Sequence, residues 1–172
     1  MKKFISCVLA FALIFSLAAC QNSSGGSAKS GLAGFMTAEE DTLGKTLLDD
    51  FASRMDQDSS ASALSLAEGI IANEAIAFMG AAMEVEPGFL SGFQTDITDF
   101  QEGAVFAPMI STIPFVGYIF VLEDSADVNA FATNLKEQCD PRWNICTEAE
   151  QTVIDYYGNT VFFLMCPKSL ES

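Results

Sequence analysis

GAVFAPMISTIPFVGYIFVL, residues 103–122, is a run of twenty residues without a charge, open to interpretation as a membrane span or as buried strands. A membrane-spanning helix needs about 20 apolar residues, so length alone permits a span. Pro108 and Pro114 oppose it, because each would remove a hydrogen bond from a helix interior and clash with the preceding turn. No cation flanks the run, and its Val, Ile, Phe and Tyr content suits buried strands. The stretch therefore predicts two strands, residues 104–110 and 115–122, joined by a Pro-containing turn.

Toward the N-terminus the same strand-and-turn chemistry continues. Residues 75–79 read as a strand that can extend to Val85, Glu86-Pro87-Gly88 breaks it, and residues 97–100 form a brief further strand. Before Asn73 the period changes. Leu43, Leu47, Leu48, Phe51, Ala52 and Met55 recur at helical spacing behind a capping box at Thr37-Ala38-Glu39-Glu40, predicting a helix over 38–57. A second helix carries Leu64, Ala67, Ile70 and Ile71, with Ser65 to Glu68 as its cap.

Toward the C-terminus Asp124 caps a third helix with Val128, Phe131, Ala132 and Leu135 on one stripe, ending before Asp140-Pro141. Thr147 with Glu150 caps a single helical turn, and residues 152–156 and 160–166 flank Tyr157-Gly158-Asn159 as a hairpin. Helices first and last around consecutive strands predict an α+β fold, an antiparallel sheet with helices packed on one face.

The ends of the chain set its address. Lys2 and Lys3, the apolar stretch 8–17 and Leu17-Ala18-Ala19-Cys20 form a lipoprotein signal peptide, residues 1–19, whose apolar run is too short to span a bilayer. The pattern implies that Cys20 becomes the first residue of the mature chain and carries a diacylglyceryl thioether. Two or more acyl chains, at about 0.8 kcal/mol per buried methylene, anchor stably where one does not. The expected address is the cell membrane, lipid-anchored and facing outside the cytoplasm. Residues 20–34 are rich in Ser and Gly and read as a flexible tether, and residues 35–172 are long enough for one domain with its own core.

The formal net charge is −15. Loss of the signal removes Lys2 and Lys3 and leaves Lys29, Lys45, Arg54, Lys136, Arg142 and Lys168 scattered. Nucleic acid is excluded as a partner, because phosphate binding needs clustered cations. The same repulsion leaves the acyl chains on Cys20 as the membrane contact.

Catalytic signals are sparse. The chain has no histidine, which removes Ser-His-Asp and Cys-His systems and the usual base near neutral pH. No Ser-x-x-Lys occurs, the Thr-x-x-Lys matches at Thr42 and Thr133 fall on helix surfaces, and no phosphate-binding Gly loop is present. Acid pairs occur at Glu39/Glu40, Asp49/Asp50, Asp56/Asp58, Glu84/Glu86 and Asp96/Asp99. Asp56-x-Asp58-x-Ser60 opens like a calcium loop, yet Ala61 replaces the turn Gly and Ala67 the bidentate Glu. No metal or other cofactor is expected.

Cys139 and Cys146 bracket a short loop and can form a disulfide in an exported protein; reduced thiols in an anaerobe are the alternative. Cys166, at a strand end, reads as a small buried apolar residue. Trp143, the only tryptophan, lies between Arg142 and Asn144 in that loop, and the three are candidate contacts for a ligand or partner. The alternative is that Trp143 folds over the end of the core.

Val85-Glu86-Pro87-Gly88-Phe89-Leu90, Ile113-Pro114-Phe115-Val116-Gly117-Tyr118, Arg142-Trp143-Asn144-Ile145-Cys146-Thr147 and Gly158-Asn159-Thr160-Val161-Phe162-Phe163 carry a resemblance. Within residues 75–167 the chain resembles small lipoproteins of Gram-positive anaerobic bacteria that have no assigned activity. The resemblance implies the fold and the envelope address and carries over no functional residue. The expectation is a non-enzymatic binding or interaction module for a protein or small molecule. The alternative is a carboxylate-based, cation-dependent module or enzyme.

Overall fold

The computed structural model describes residues 31–110 and 112–170; the signal peptide, Cys20 and most of the expected tether lie outside them. In chain order the elements are α1 (Leu43–Gln57), α2 (Ala63–Ile71), β1 (Gly80–Glu84), β2 (Gly88–Phe89), β3 (Asp96–Ile97), β4 (Glu102–Pro108), β5 (Val116–Val121), α3 (Val128–Gln138), β6 (Gln151–Tyr157) and β7 (Thr160–Cys166). Five strands form one antiparallel sheet in the order β1-β4-β5-β7-β6, and β2 and β3 pair separately. The uncharged run supplies most of β4 and all of β5, at the second and third positions of that sheet. The α+β class and the antiparallel sheet are as the sequence predicts.

The layering is fuller than predicted. Along β7, Phe162, Leu164 and Cys166 pack with Leu47, Phe51 and Met55 of α1 and Leu66 and Ile70 of α2. Val161, Phe163 and Met165 point the other way, against Phe131 and Leu135 of α3 and Phe93 and Ile97 from the β2–β3 segment. Successive strand residues face opposite sides, so α3 lies across the sheet from α1 and α2. The expectation of helices on one face is thereby corrected. A sheet covered on both sides needs unbroken apolar strands, and β5 and β7 have them.

The helix starts also differ. α1 begins at Leu43, not Ala38: Thr42 is the cap, its Oγ1 accepting from the Lys45 N–H at 3.3 Å and donating to the Glu39 carbonyl at 2.6 Å. Ser62 caps α2 in place of Ser65, and Asp127 caps α3 in place of Asp124. Arg54 joins the first two helices, donating to Asp50 and to the Gly69 carbonyl at 2.9 Å. Residues 75–79 are not a strand, because Asn73 turns the chain through hydrogen bonds to the N–H groups of Ala75 and Ile76. Strand pairing therefore starts at Gly80.

The two edges of the sheet are unlike. Along β6, Met36 and Ile154 exchange both backbone hydrogen bonds at 2.8 and 2.9 Å, and the Ala33 N–H donates to the Tyr156 carbonyl at 3.0 Å. The last residues of the expected tether are therefore docked, and the folded body begins at about Ala33. Along β1 no strand pairs on the outer side among the described residues.

Candidate functional site

The second face of the sheet is covered from β6 as far as β5 and then opens. α3 and the segment 88–97 form the cover, stitched together where the Asp140 N–H donates to the Gly92 carbonyl (2.8 Å) and the Gln94 N–H to the Gln138 carbonyl (2.9 Å). The Tyr118 hydroxyl, almost fully buried, ties this cover to the sheet by donating to the Ser91 carbonyl at 2.8 Å. Burial holds that phenol well above its ordinary range, so it stays a donor.

Beyond the edge of this cover lies a cleft of about 200 Å³. Val105 and Ala107 of β4 and Val116 of β5 line it together with Ser91, Pro108, Ile113, Phe115, Trp143 and Asn144. None of these side chains is charged. Apolar contacts can be made here, and nothing along the lining supplies a general acid, a general base or a nucleophile pair.

The loop that brings Trp143 to the cleft is shaped by its own backbone. Asp140 Oδ1 accepts the Arg142 N–H at 2.9 Å, the Asp140 carbonyl accepts the Trp143 N–H at 3.1 Å, and Ile145 takes a left-handed φ of +48°. The helical turn expected after Thr147 is absent; the chain turns earlier, over residues 141–146. Asn144 Nδ2 and Thr147 Oγ1 both donate to the Thr112 carbonyl, at 3.2 and 3.1 Å, fixing the loop to the β4–β5 connection.

The three contact candidates thus have different positions. Trp143, half-buried, lines the cleft; Asn144 lines it while its amide holds the loop; Arg142 points away into an exposed ion pair with Glu148 at 3.3 Å. Exposed apolar side chains continue from the cleft. Met83 is the cross-strand partner of Val105 and Met79 sits beside Met109, with exposures of 63% and 78% for Met83 and Met79.

The other sequence candidates do not converge on it. Cys139, Cys146 and Cys166 are free thiols in this structure, half-buried, exposed and buried respectively, so no bond closes the 139–146 loop. Burial pushes the Cys139 thiol up, and Cys166 up to about 12. Asp56 accepts from the Tyr157 hydroxyl at 3.0 Å, whereas Asp58 turns onto Ser60 Oγ and N–H at 2.7 and 3.0 Å, which holds its carboxyl below the usual range. Among the described residues no three His, Cys, Asp or Glu side chains come together as metal ligands.

Sequence reading missed one structural carboxylate. Asp155, fully buried in β6, accepts the N–H groups of Gly34 and Phe35 and that of Tyr156. The available signal was a lone acid inside the apolar strand Val153-Ile154-Asp155-Tyr156. Comparison with known proteins supplies no relative: no family model matches the chain, and no curated protein or solved structure matches it significantly.

Proposed function

We propose that the chain is a lipid-anchored, extracytoplasmic envelope protein that acts as a non-enzymatic binding module, holding an apolar group of a partner protein in the Trp143 cleft. The signal pattern ending at Cys20 and the resemblance to small lipoproteins support the address. The uncharged cleft carries the binding reading. Its volume, about 200 Å³, is below the 300–1,000 Å³ usual for small-molecule pockets. That size suits one anchoring side chain of a partner better than a whole metabolite, and the exposed methionines beside it give an adaptable apolar rim.

A titration with the apolar fluorophore anilinonaphthalene sulfonate tests this, with the single tryptophan as reporter. The expected result is saturable energy transfer from Trp143 in the native chain, lost in Val105→Glu. Weak, non-saturating transfer that Val105→Glu leaves unchanged contradicts the reading.

A further inference from the structure

We infer that β1 is a strand-addition site for an extended segment of another protein, one whose alternate residues are apolar and basic. The inference deepens the binding-module reading and rests on it. Antiparallel pairing places the hydrogen bonds of β1 on alternate residues. The Val85 N–H donates to the Gly103 carbonyl at 2.8 Å and the Met109 N–H to the Met79 carbonyl at 3.0 Å. Residues 79, 81, 83 and 85 therefore bond inward to β4, and the backbone groups of Gly80, Ala82 and Glu84 point outward. Among the described residues none pairs with them. The opposite edge, by contrast, is covered by residues 33–36.

The two faces of this edge define the occupant. On the cleft side Met79, Ala81 and Met83 continue the apolar surface of Val105 and Ala107, their neighbours on β4. An added strand would lay apolar side chains there. On the α2 side, Glu84 and Glu86 stand with Glu102 around a shallow cleft of about 230 Å³ at the start of α2. Glu102 is occupied, accepting the Ala63 N–H at 3.1 Å, and no cation bonds to Glu84 or Glu86 among the described residues. A Lys or Arg placed opposite Glu84 would make the cross-strand pair that this position lacks. Gly80, Ala81 and Ala82 are small enough to let another backbone approach, and main-chain bonding with alternating side-chain pockets is how exposed sheet edges take peptides. A second copy pairing through its own β1, GAAME, would place no Lys or Arg opposite Glu84.

The test uses the full-length chain in detergent micelles and a short fluorescent peptide alternating valine and lysine, read by anisotropy. The expected result is binding at least about tenfold tighter than that of a valine–glutamate or serine–lysine peptide, and loss of binding when alternate peptide nitrogens are methylated. Ala82→Pro, which removes one outward N–H and leaves the β1–β4 ladder intact, should weaken binding by a similar factor, and Glu84→Lys should reverse the preference toward the glutamate peptide. If Ala82→Pro does not fold, the methylated peptide decides. Equal binding of the methylated and unmethylated peptides overturns the inference. So does binding that survives Ala82→Pro but is lost in Val105→Glu, a result that would leave the Trp143 cleft standing as the site. Concentration-dependent dimers of the chain alone, abolished by Ala82→Pro and unaffected by peptide, would assign the edge to a second copy and also overturn it.

Discussion

The carboxylate of Asp155 accepts the backbone N–H of Gly34 at 2.9 Å from a position with no solvent exposure. Through that contact, the Phe35 N–H and the Met36–Ile154 pairing, the segment entering the domain becomes the cover of one sheet edge. Among the described residues the opposite edge has no such cover. This asymmetry, with the apolar cleft beside β1 and β4, is the structural basis of the binding reading.

Asp155→Ala removes the acceptor for backbone donors of Gly34, Phe35 and Tyr156. Hydrogen bonds to a charged group contribute about 1.5–3 kcal/mol to stability, and a loss of that size is expected in urea unfolding. The amide protons of Met36 and Ile154, which bond across this edge, should exchange faster as the 33–36 segment detaches. Unchanged stability would mean that water replaces the carboxylate without cost.

Gly117→Ala is expected to be disproportionately costly. A methyl group there would meet the Phe106 ring, which lies over this strand position in the core between β4 and β5. Overpacking of this kind costs about 1–3 kcal/mol, whereas Gly158→Ala, in open space with φ +62°, costs only backbone strain. Equal stability of Gly117→Ala and wild type would show that Phe106 can move aside.

How far the fold could be read from sequence varied by element. β7 was predicted residue for residue, because Tyr157 to Thr160 hold a two-residue turn and the strand is uninterrupted Val, Phe, Leu and Met. The stripes of α1 and α3 were legible, that of α2 only in part, since Ala63 and Leu66 are buried where Leu64 and Ile71 were expected; the helix starts were not. Thr42 and Ser62 each stand immediately before the first helical residue and won the cap over better-looking boxes nearby, and Leu43 is further held by its N–H bond to the Lys168 carbonyl at 2.8 Å. An amphipathic stripe says that α3 packs, not on which face of the sheet. Of the site, Trp143 was legible as a lone aromatic in a loop. The cleft itself was not, because it is made by residues from β4, β5 and three connecting segments far apart in sequence.

Cysteine alkylation of the native chain should follow burial. The thiolate is the reacting form, so exposed Cys146 should react first, Cys139 more slowly and Cys166 only on unfolding. Because burial raises Cys166 from 9.0 to about 12, the unfolded chain releases that proton first. Its contribution to stability is whole below pH 9 and is lost as pH rises toward 12; Cys166→Ala should remove that part of the slope. Peptide mapping that finds Cys139 joined to Cys146 would instead establish the loop staple.

The anchor is tested by metabolic labelling. The chain should incorporate radioactive palmitate and partition into detergent, and Cys20→Ala should abolish both. Continued labelling and membrane retention of the variant would contradict processing at Cys20.

Amide hydrogen exchange tests the difference between the two edges most directly. The Ile154 N–H, bonded outward to the Met36 carbonyl at 2.9 Å, should be protected to nearly the same degree as the inward-bonded amides of the sheet. The outward N–H groups of Ala82 and Glu84 should exchange at close to unprotected rates, while those of Ala81 and Met83 remain slow. Protection of Ala82 equal to that of Ala81 would show that β1 is already covered in the native chain and would contradict an open, partner-binding edge.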